Sequence, residues 1–209
     1  TRRSSDLFSL EMSTQQLIMR MMCTRAQVSM TKVKQGVATD DDMIRLSDAT
    51  SAMYSDRLVI DDTANISVAE IRSKCRRMKT KQGLDLVIID YLQLMKTSGK
   101  TENRVLEIGE ITRALKILAK ELDVPIILLS QLSRAADKVR PTMAHLRESG
   151  AIEQDADIVI MIYREGAHNP EADNTAEIIV AKHRNGPTDT VYLVWIDEYT
   201  KFNNKSMRE

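Results

Sequence analysis

The segment Leu84-Asp85-Leu86-Val87-Ile88-Ile89-Asp90 constrains the fold of this chain more than any other. Its continuous apolar run is the pattern of a strand covered on both faces, as in a parallel sheet. Val124-Pro125-Ile126-Ile127-Leu128-Leu129 reads as a second buried strand, and Ala156 to Tyr163 as a third. A long helix is predicted between the first two, from about Val105 to Leu122, after a loop from about Met95 to Asn103.

Earlier in the chain, Phe8-Ser9-Leu10 is a short apolar entry, and Ser13 is placed to cap a helix reaching about Ala26. Asp40, Asp41 and Asp42 suit the positive end of a helix dipole, which predicts a helix from about Thr39 to Ser55. Arg57-Leu58-Val59-Ile60 reads as a strand ending in Asp61-Asp62. Ser67 with Glu70 is a capping-box pattern opening a helix that Gly83 stops. Ala176–Ala181 and Thr190–Ile196 look like late strands joined by a turn at Asn185-Gly186-Pro187. Alternating strands and helices predict an α/β fold, with a mostly parallel sheet and a C-terminal antiparallel hairpin. No repeat or linker interrupts the pattern, so one domain over residues 1–209 is expected.

Composition narrows the classes. The 209 residues are 43% hydrophobic and 29% charged, which argues against general disorder. Thirty Lys plus Arg balance thirty Asp plus Glu, which excludes a broadly cationic polymer binder but leaves local basic loops open. No run of 18 apolar residues exists, so no membrane span is expected. The N-terminus has no apolar signal region, and Cys23 and Cys75 have no metal spacing, which points to a reducing, cytosolic setting. His145, His168 and His183 lack ligand spacing as well, so no histidine metal site is expected.

In a sheet of this kind, ligands sit at the carboxyl ends of the strands. Those ends carry Glu11, Asp61-Asp62, Asp90, Ser130-Gln131, Arg164-Glu165 and Lys182-His183-Arg184. An Asp after four apolar residues, as at Asp90, is what a Walker B site needs to orient Mg²⁺ and its waters beside nucleotide phosphates. It is also how an ordinary strand can end. Glu11 is placed to activate a hydrolytic water, or to sit solvated in a first helical turn. Gln131 is placed to sense a γ-phosphate, or simply to meet solvent.

Lys182 and Arg184 alternate on one strand, an arrangement that can reach a neighbouring subunit's nucleotide or guard a sheet edge. The segment Ser133–Gly150 holds Arg134, Lys138, Arg140, His145 and Arg147, enough charge for a phosphate backbone or for a solvated loop. An aromatic content of 4% argues against a base-stacking platform. Arg72, Lys74, Arg76, Arg77, Lys79 and Lys81 read best as the wet face of an amphipathic helix. A phosphate-cradling GxxxxGK[ST] is absent from the 209 residues. Gly99-Lys100-Thr101 imitates its tail, but Leu94 stands where the first glycine belongs, so Lys100 reads instead as part of a basic loop facing DNA.

Phe8-Ser9-Leu10-Glu11-Met12-Ser13, Leu86 to Met95, Ser130-Gln131-Leu132-Ser133-Arg134, Leu146 to Asp157 and Lys182-His183-Arg184-Asn185-Gly186-Pro187 together resemble the replicative DNA helicases of the DnaB type. The likeness runs in order from about Leu7 to Phe202. It implies a RecA-like P-loop NTPase core, N-terminally truncated, in a homo-hexameric ring that uses ATP and Mg²⁺ to move 5′ to 3′ on single-stranded DNA. By that resemblance Glu11 is the catalytic glutamate, Asp90 the Walker B residue holding Mg²⁺ through water, and Gln131 the coupling residue.

Lys182 and Arg184 would complete the adjacent subunit's site, and these five residues together would contact the nucleotide. Arg147, Glu148 and Gly150 match the family's DNA-binding loop, with Arg134 and Lys100 nearby in the reading. A primase, a helicase loader and a cytoplasmic, nucleoid-associated location in a bacterial or phage-infected cell are implied too. The family's Walker A segment, linker helix and N-terminal domain would precede Thr1, so this chain alone is expected to hydrolyse ATP negligibly. A recombinase-type RecA-fold ATPase, and a non-catalytic module that binds helicase rings or a loader, are the competing expectations.

Overall fold

The computed structural model describes residues 4–53, 57–96, 103–146 and 149–205. It divides into two compact units, each built around its own sheet.

The first unit comprises residues 1–14, 56–133 and 143–156. Its sheet has the order β2-β1-β3-β4, from β1 (Ser4–Ser9), β2 (Arg57–Asp61), β3 (Leu86–Asp90) and β4 (Ile126–Leu128). All three pairings are parallel, as the apolar run at β3 predicts. Helix α4 (Val68–Gln82) crosses from β2 to β3, and α5 (Arg104–Leu122) from β3 to β4. The capping box forms at α4: Ser67 accepts from the Glu70 N–H while Glu70 accepts from the Ser67 N–H. On α5 the stripe Ile108, Ile111, Leu115, Leu118 and Leu122 is buried, at the helical spacing that turns one face inward. The short helix α6 (Ser149–Asp155) lies against α5, where a Cβ on Gly109 would stand 3.3 Å from that of Ala151. Thr112 Oγ1 donates to Asp155 Oδ2 at 2.6 Å across the same contact.

The basic face of α4 is only partly wet. Arg72 and Arg76 both pair with Glu121 of α5, at 2.9 and 2.5 Å, while Ile71 and Cys75 face the core. Burial, and then Asp6, push the Cys75 thiol up to about 12, so it stays protonated.

The second unit comprises residues 15–55, 134–142 and 157–209. Its sheet is antiparallel in the order β5-β6-β7-β8, from β5 (Ile158–Tyr163), β6 (Thr175–His183), β7 (Thr190–Ile196) and β8 (Lys201–Asn204). The antiparallel part is therefore a four-stranded sheet rather than a hairpin. It takes in β5, which the apolar run alone assigns to the parallel set. Burial along β5 alternates: Val159 and Met161 are buried, whereas Ile158, Ile160 and Ile162 are each at least half exposed, up to 57%. An uninterrupted apolar sequence thus hides a strand with one covered face.

Helix α1 (Thr14–Ala26), α2 (Met30–Gln35) and α3 (Asp40–Met53) follow β1 in the chain. Cys23, Ala26, Val28, Leu46 and Ala49 form a small core there, with Met22, Met30 and Val33 packed against it. Asp40, Asp41 and Asp42 fill the first turn of α3, where the dipole reading puts them, and Thr39 and Asp42 add a reciprocal cap that reading did not include. No described helix is long and apolar enough to cross a membrane.

Candidate active site

The parallel sheet delivers Glu11, Asp90 and Gln131 to the carboxyl ends of three adjacent strands, β1, β3 and β4. Ser9 stands in register with Asp90, and the Leu10 N–H donates to the Asp90 carbonyl at 2.7 Å. Ile89 pairs with Leu128, and the Leu129 N–H extends the ladder to the Ile89 carbonyl at 2.9 Å. Glu11 and Gln131 are exposed and Asp90 is half-buried, so all three are open to a ligand at that edge.

The turn carrying Glu11 is held from two sides. Buried Ser9 donates from Oγ to the Met12 carbonyl at 2.8 Å and accepts the Met12 N–H at 3.3 Å. Asp62, one residue past β2, accepts the Thr14 N–H at 2.9 Å and so caps the first turn of α1 from a neighbouring strand. The Thr14 N–H in turn holds the Asp62 carboxyl below the usual carboxylate range. Asp61 is anchored as well: burial raises its carboxyl, but hydrogen bonds from Lys74 and Thr63 outweigh that and leave it lowered. Asp61 and Asp62 thus support the edge rather than face a ligand.

Gln131 is held by its main chain. The Gln93 side chain, from the turn after β3, accepts the Gln131 N–H at 3.3 Å and donates to Ser130 Oγ at 3.0 Å. Sequence reasoning assigned Gln93 and Ser9 no task. The signal for Gln93 is one amide inside the apolar run Leu92-Gln93-Leu94, and for Ser9 a hydroxyl at a buried strand end.

Lys182 and Arg184 lie in the second unit. Lys182 is on β6 opposite Val159, and Arg184 falls just beyond the strand end. The Arg184 N–H donates to the Asp157 carbonyl at 2.8 Å, and its guanidinium pairs with the Asp157 carboxylate at 3.1 Å while half exposed. Arg164, another strand-end cation of this unit, stacks 4.3 Å over the Trp195 ring and pairs with Asp197.

Of the basic segment, Arg134 is exposed, while Arg140 is engaged by Glu177 at 2.7 Å and Thr190 at 3.2 Å. Gly150 lies in the first turn of α6 and is exposed. Arg147, Glu148 and Lys100 fall outside the described residues.

Two carboxylates and a carboxamide on one sheet edge are a donor set that suits a magnesium ion held through water beside a phosphate group. Among the described residues, no three His, Cys, Asp or Glu side chains gather as a direct metal cage.

Known proteins resemble this chain along nearly its whole length. The family described as DnaB-like helicase C terminal domain matches residues 1–204. The Replicative DNA helicase DnaB of Geobacillus stearothermophilus is 48% identical over 214 aligned residues, covering 100% of this chain and 47% of the relative. The Replicative DNA helicase DnaC of Bacillus subtilis (strain 168) is 46% identical, again over 100% of the chain and 47% of the relative. The chain therefore spans about half the length of these curated relatives.

Among solved structures, "The Structure Of A DnaB-Like Replicative Helicase And Its Interactions With Primase" superposes with a TM-score of 0.92 at 39% identity, covering 98% of this chain and 51% of that one. A second solved chain, described as an ATPase domain, also gives 0.92, at 40% identity, over 98% of this chain and 75% of that one.

Proposed function

Because the chain belongs to the family of DnaB-like helicase C-terminal domains, we propose that residues 1–209 form the RecA-like ATPase portion of a replicative helicase. In its whole form that helicase couples ATP hydrolysis to 5′ to 3′ movement on single-stranded DNA and to duplex unwinding. The observation that carries the proposal is the shared edge: Glu11, Asp90 and Gln131 leave three neighbouring strand ends side by side.

ATP, as substrate, presents its terminal phosphorus to an attacking water, and the bond to the bridging oxygen breaks as ADP leaves. Asp90 is the residue that would hold a magnesium ion through water, and the ion would offset charge on the phosphates. Glu11 takes the proton from the attacking water, and the turn fixed by Ser9 and Asp62 keeps its carboxylate at the sheet edge. Gln131 hydrogen-bonds the terminal phosphate and passes its presence or absence to the DNA-facing segments.

In this reading Lys182 and Arg184 act in trans, on nucleotide bound by the adjacent subunit of a homo-hexameric ring. Arg147, Glu148 and Gly150, with Arg134 and Lys100, contact the phosphates of single-stranded DNA. Primase and a loader are the protein partners, in the cytoplasm of a bacterial or phage-infected cell. The matched relatives are named as replicative helicases, which favours unwinding over the strand exchange of a recombinase. A phosphate cradle is absent from these 209 residues, so they alone hydrolyse ATP negligibly.

The test is Glu11→Gln in the full-length protein. Hydrolysis and unwinding are expected to fall by about a hundredfold or more, the usual contribution of a general base, with the thermal transition unchanged. Hydrolysis at the parental rate would remove Glu11 from the chemistry.

A further inference from the structure

Gln93 stands in the turn after β3 and has no part in the hydrolytic scheme, yet both ends of its carboxamide are engaged. Nε2 donates to Ser130 Oγ at 3.0 Å and lies 3.5 Å from the Gln131 carbonyl. Oε1 accepts the Gln131 N–H at 3.3 Å. Ser130 Oγ adds a 3.4 Å contact to the Gln131 carbonyl, so the main chain of Gln131 is gripped on both sides of its Cα, at its N–H and its C=O.

The gripping residue is itself anchored. The Arg104 guanidinium donates to the Gln93 carbonyl at 2.8 Å and pairs with Glu107 in the first turn of α5. The Leu92 N–H meanwhile donates to the Leu129 carbonyl at 2.9 Å, tying the same turn to the chain beyond β4. Paired β4 ends at Leu128 and main-chain pairing resumes at the Leu132–Leu146 bridge, so at Ser130 and Gln131 these side-chain bonds take the place of the ladder in fixing the backbone. A carboxamide can donate and accept at once, which is what the two positions require.

We propose that Gln93 is a positioning residue. It fixes the main chain of Gln131, and with it the direction in which the Gln131 side chain leaves the strand end. The inference rests on the reading of Gln131 as the residue that couples nucleotide state to DNA. Gln93 touches neither nucleotide nor DNA in this scheme and acts only through its neighbour. A residue that acts only through another has no effect once that other is gone, which separates positioning from a general contribution to the fold.

The experiment measures ATP hydrolysis by the full-length protein with and without single-stranded DNA, for Gln93→Leu, Gln131→Ala and the two combined. Gln93→Leu is expected to cut the stimulation by DNA about tenfold, the scale of one or two net hydrogen bonds, with basal hydrolysis retained. In the Gln131→Ala background it is expected to add no further loss. Ser130→Ala, which removes one of the contacts, should lower stimulation about twofold. If Gln93→Leu fails to fold, as judged by thermal melting, Ser130→Ala alone and with Gln131→Ala carries the same comparison.

Losses that multiply in the double variant overturn the proposal, because Gln93 would then act elsewhere. Impaired Gln131→Ala beside unimpaired Gln93→Leu and Ser130→Ala overturns it while leaving the role of Gln131 intact. Full stimulation in Gln131→Ala overturns the coupling role itself, and the inference with it.

Discussion

Asp6 occupies the middle of β1, only 2% exposed, with its Oδ1 buried and without a hydrogen-bond partner. Burial, and then the nearby Asp61, push its carboxyl up to about 6 from an ordinary 3.8, against the pull of Lys74. The folded protein therefore keeps a proton on Asp6 over a range where the unfolded chain has lost it. Stability from this group is full below about pH 4, falls as pH rises towards 6, and stays lower above, by up to about 3 kcal/mol. Asp61 is lowered and works in the opposite sense, on the acid side of that window. Asp6→Asn is expected to raise the melting temperature near neutral pH and to flatten its decline between about pH 4 and 7. Thermal denaturation across that range checks it, and an unchanged slope would mean that Asp6 is ionised in the fold. Such a residue is hard to read from sequence: Ser4-Ser5-Asp6 looks like a polar approach to Phe8, yet Ser4 and Asp6 are as buried as the core. Gln93 is hard to read for a different reason, since its partners stand 37 and 38 positions further along the chain.

Elements with a local cause were legible. The Ser67–Glu70 capping box, the acidic start of α3 and the apolar run of β3 each state their structure within a few residues, and each forms where expected. Elements held by distant contacts were not. Helix α2 buries none of its six residues and has no side-chain cap at Ser29; Gly36, in the left-handed region at φ 70°, ends it. Strand β8 reads Lys-Phe-Asn-Asn and is identified only by its pairing to β7, where Phe202 packs on Trp195 at 4.7 Å. The periodic face of α5 supports a contrast of neighbours. Leu118→Ala, at a fully buried position, is expected to cost about 3 kcal/mol in denaturant unfolding. Ile117→Ala, at a position 52% exposed, should cost less than about 0.5 kcal/mol. Equal losses would mean that the helix turns a different face to the sheet.

At the scale of the assembled molecule, the proposed ring makes each site from two subunits. The Arg184–Asp157 pair is half exposed on both sides, the kind of surface bond that contributes little and opens readily to a stronger anion. Rings made only of Arg184→Ala subunits, or only of Glu11→Gln subunits, should be inactive. Rings assembled from a mixture should regain part of the hydrolysis, because some junctions then unite an intact Glu11 with an intact neighbouring Arg184. Assays across mixing ratios check this, and a mixture as inactive as its components would place Arg184 in the chemistry of its own subunit.

The bare isoleucines bear on how such material behaves in a tube. Ile127 on the outermost strand of one sheet, and Ile158, Ile160 and Ile162 on the outermost strand of the other, leave adhesive borders with few charges to repel a visitor. Concentrated preparations of residues 1–209 will tend to anneal through those borders. A particle size measured on them reports stickiness at strand margins, and the stoichiometry of the working ring is to be counted on the full-length protein.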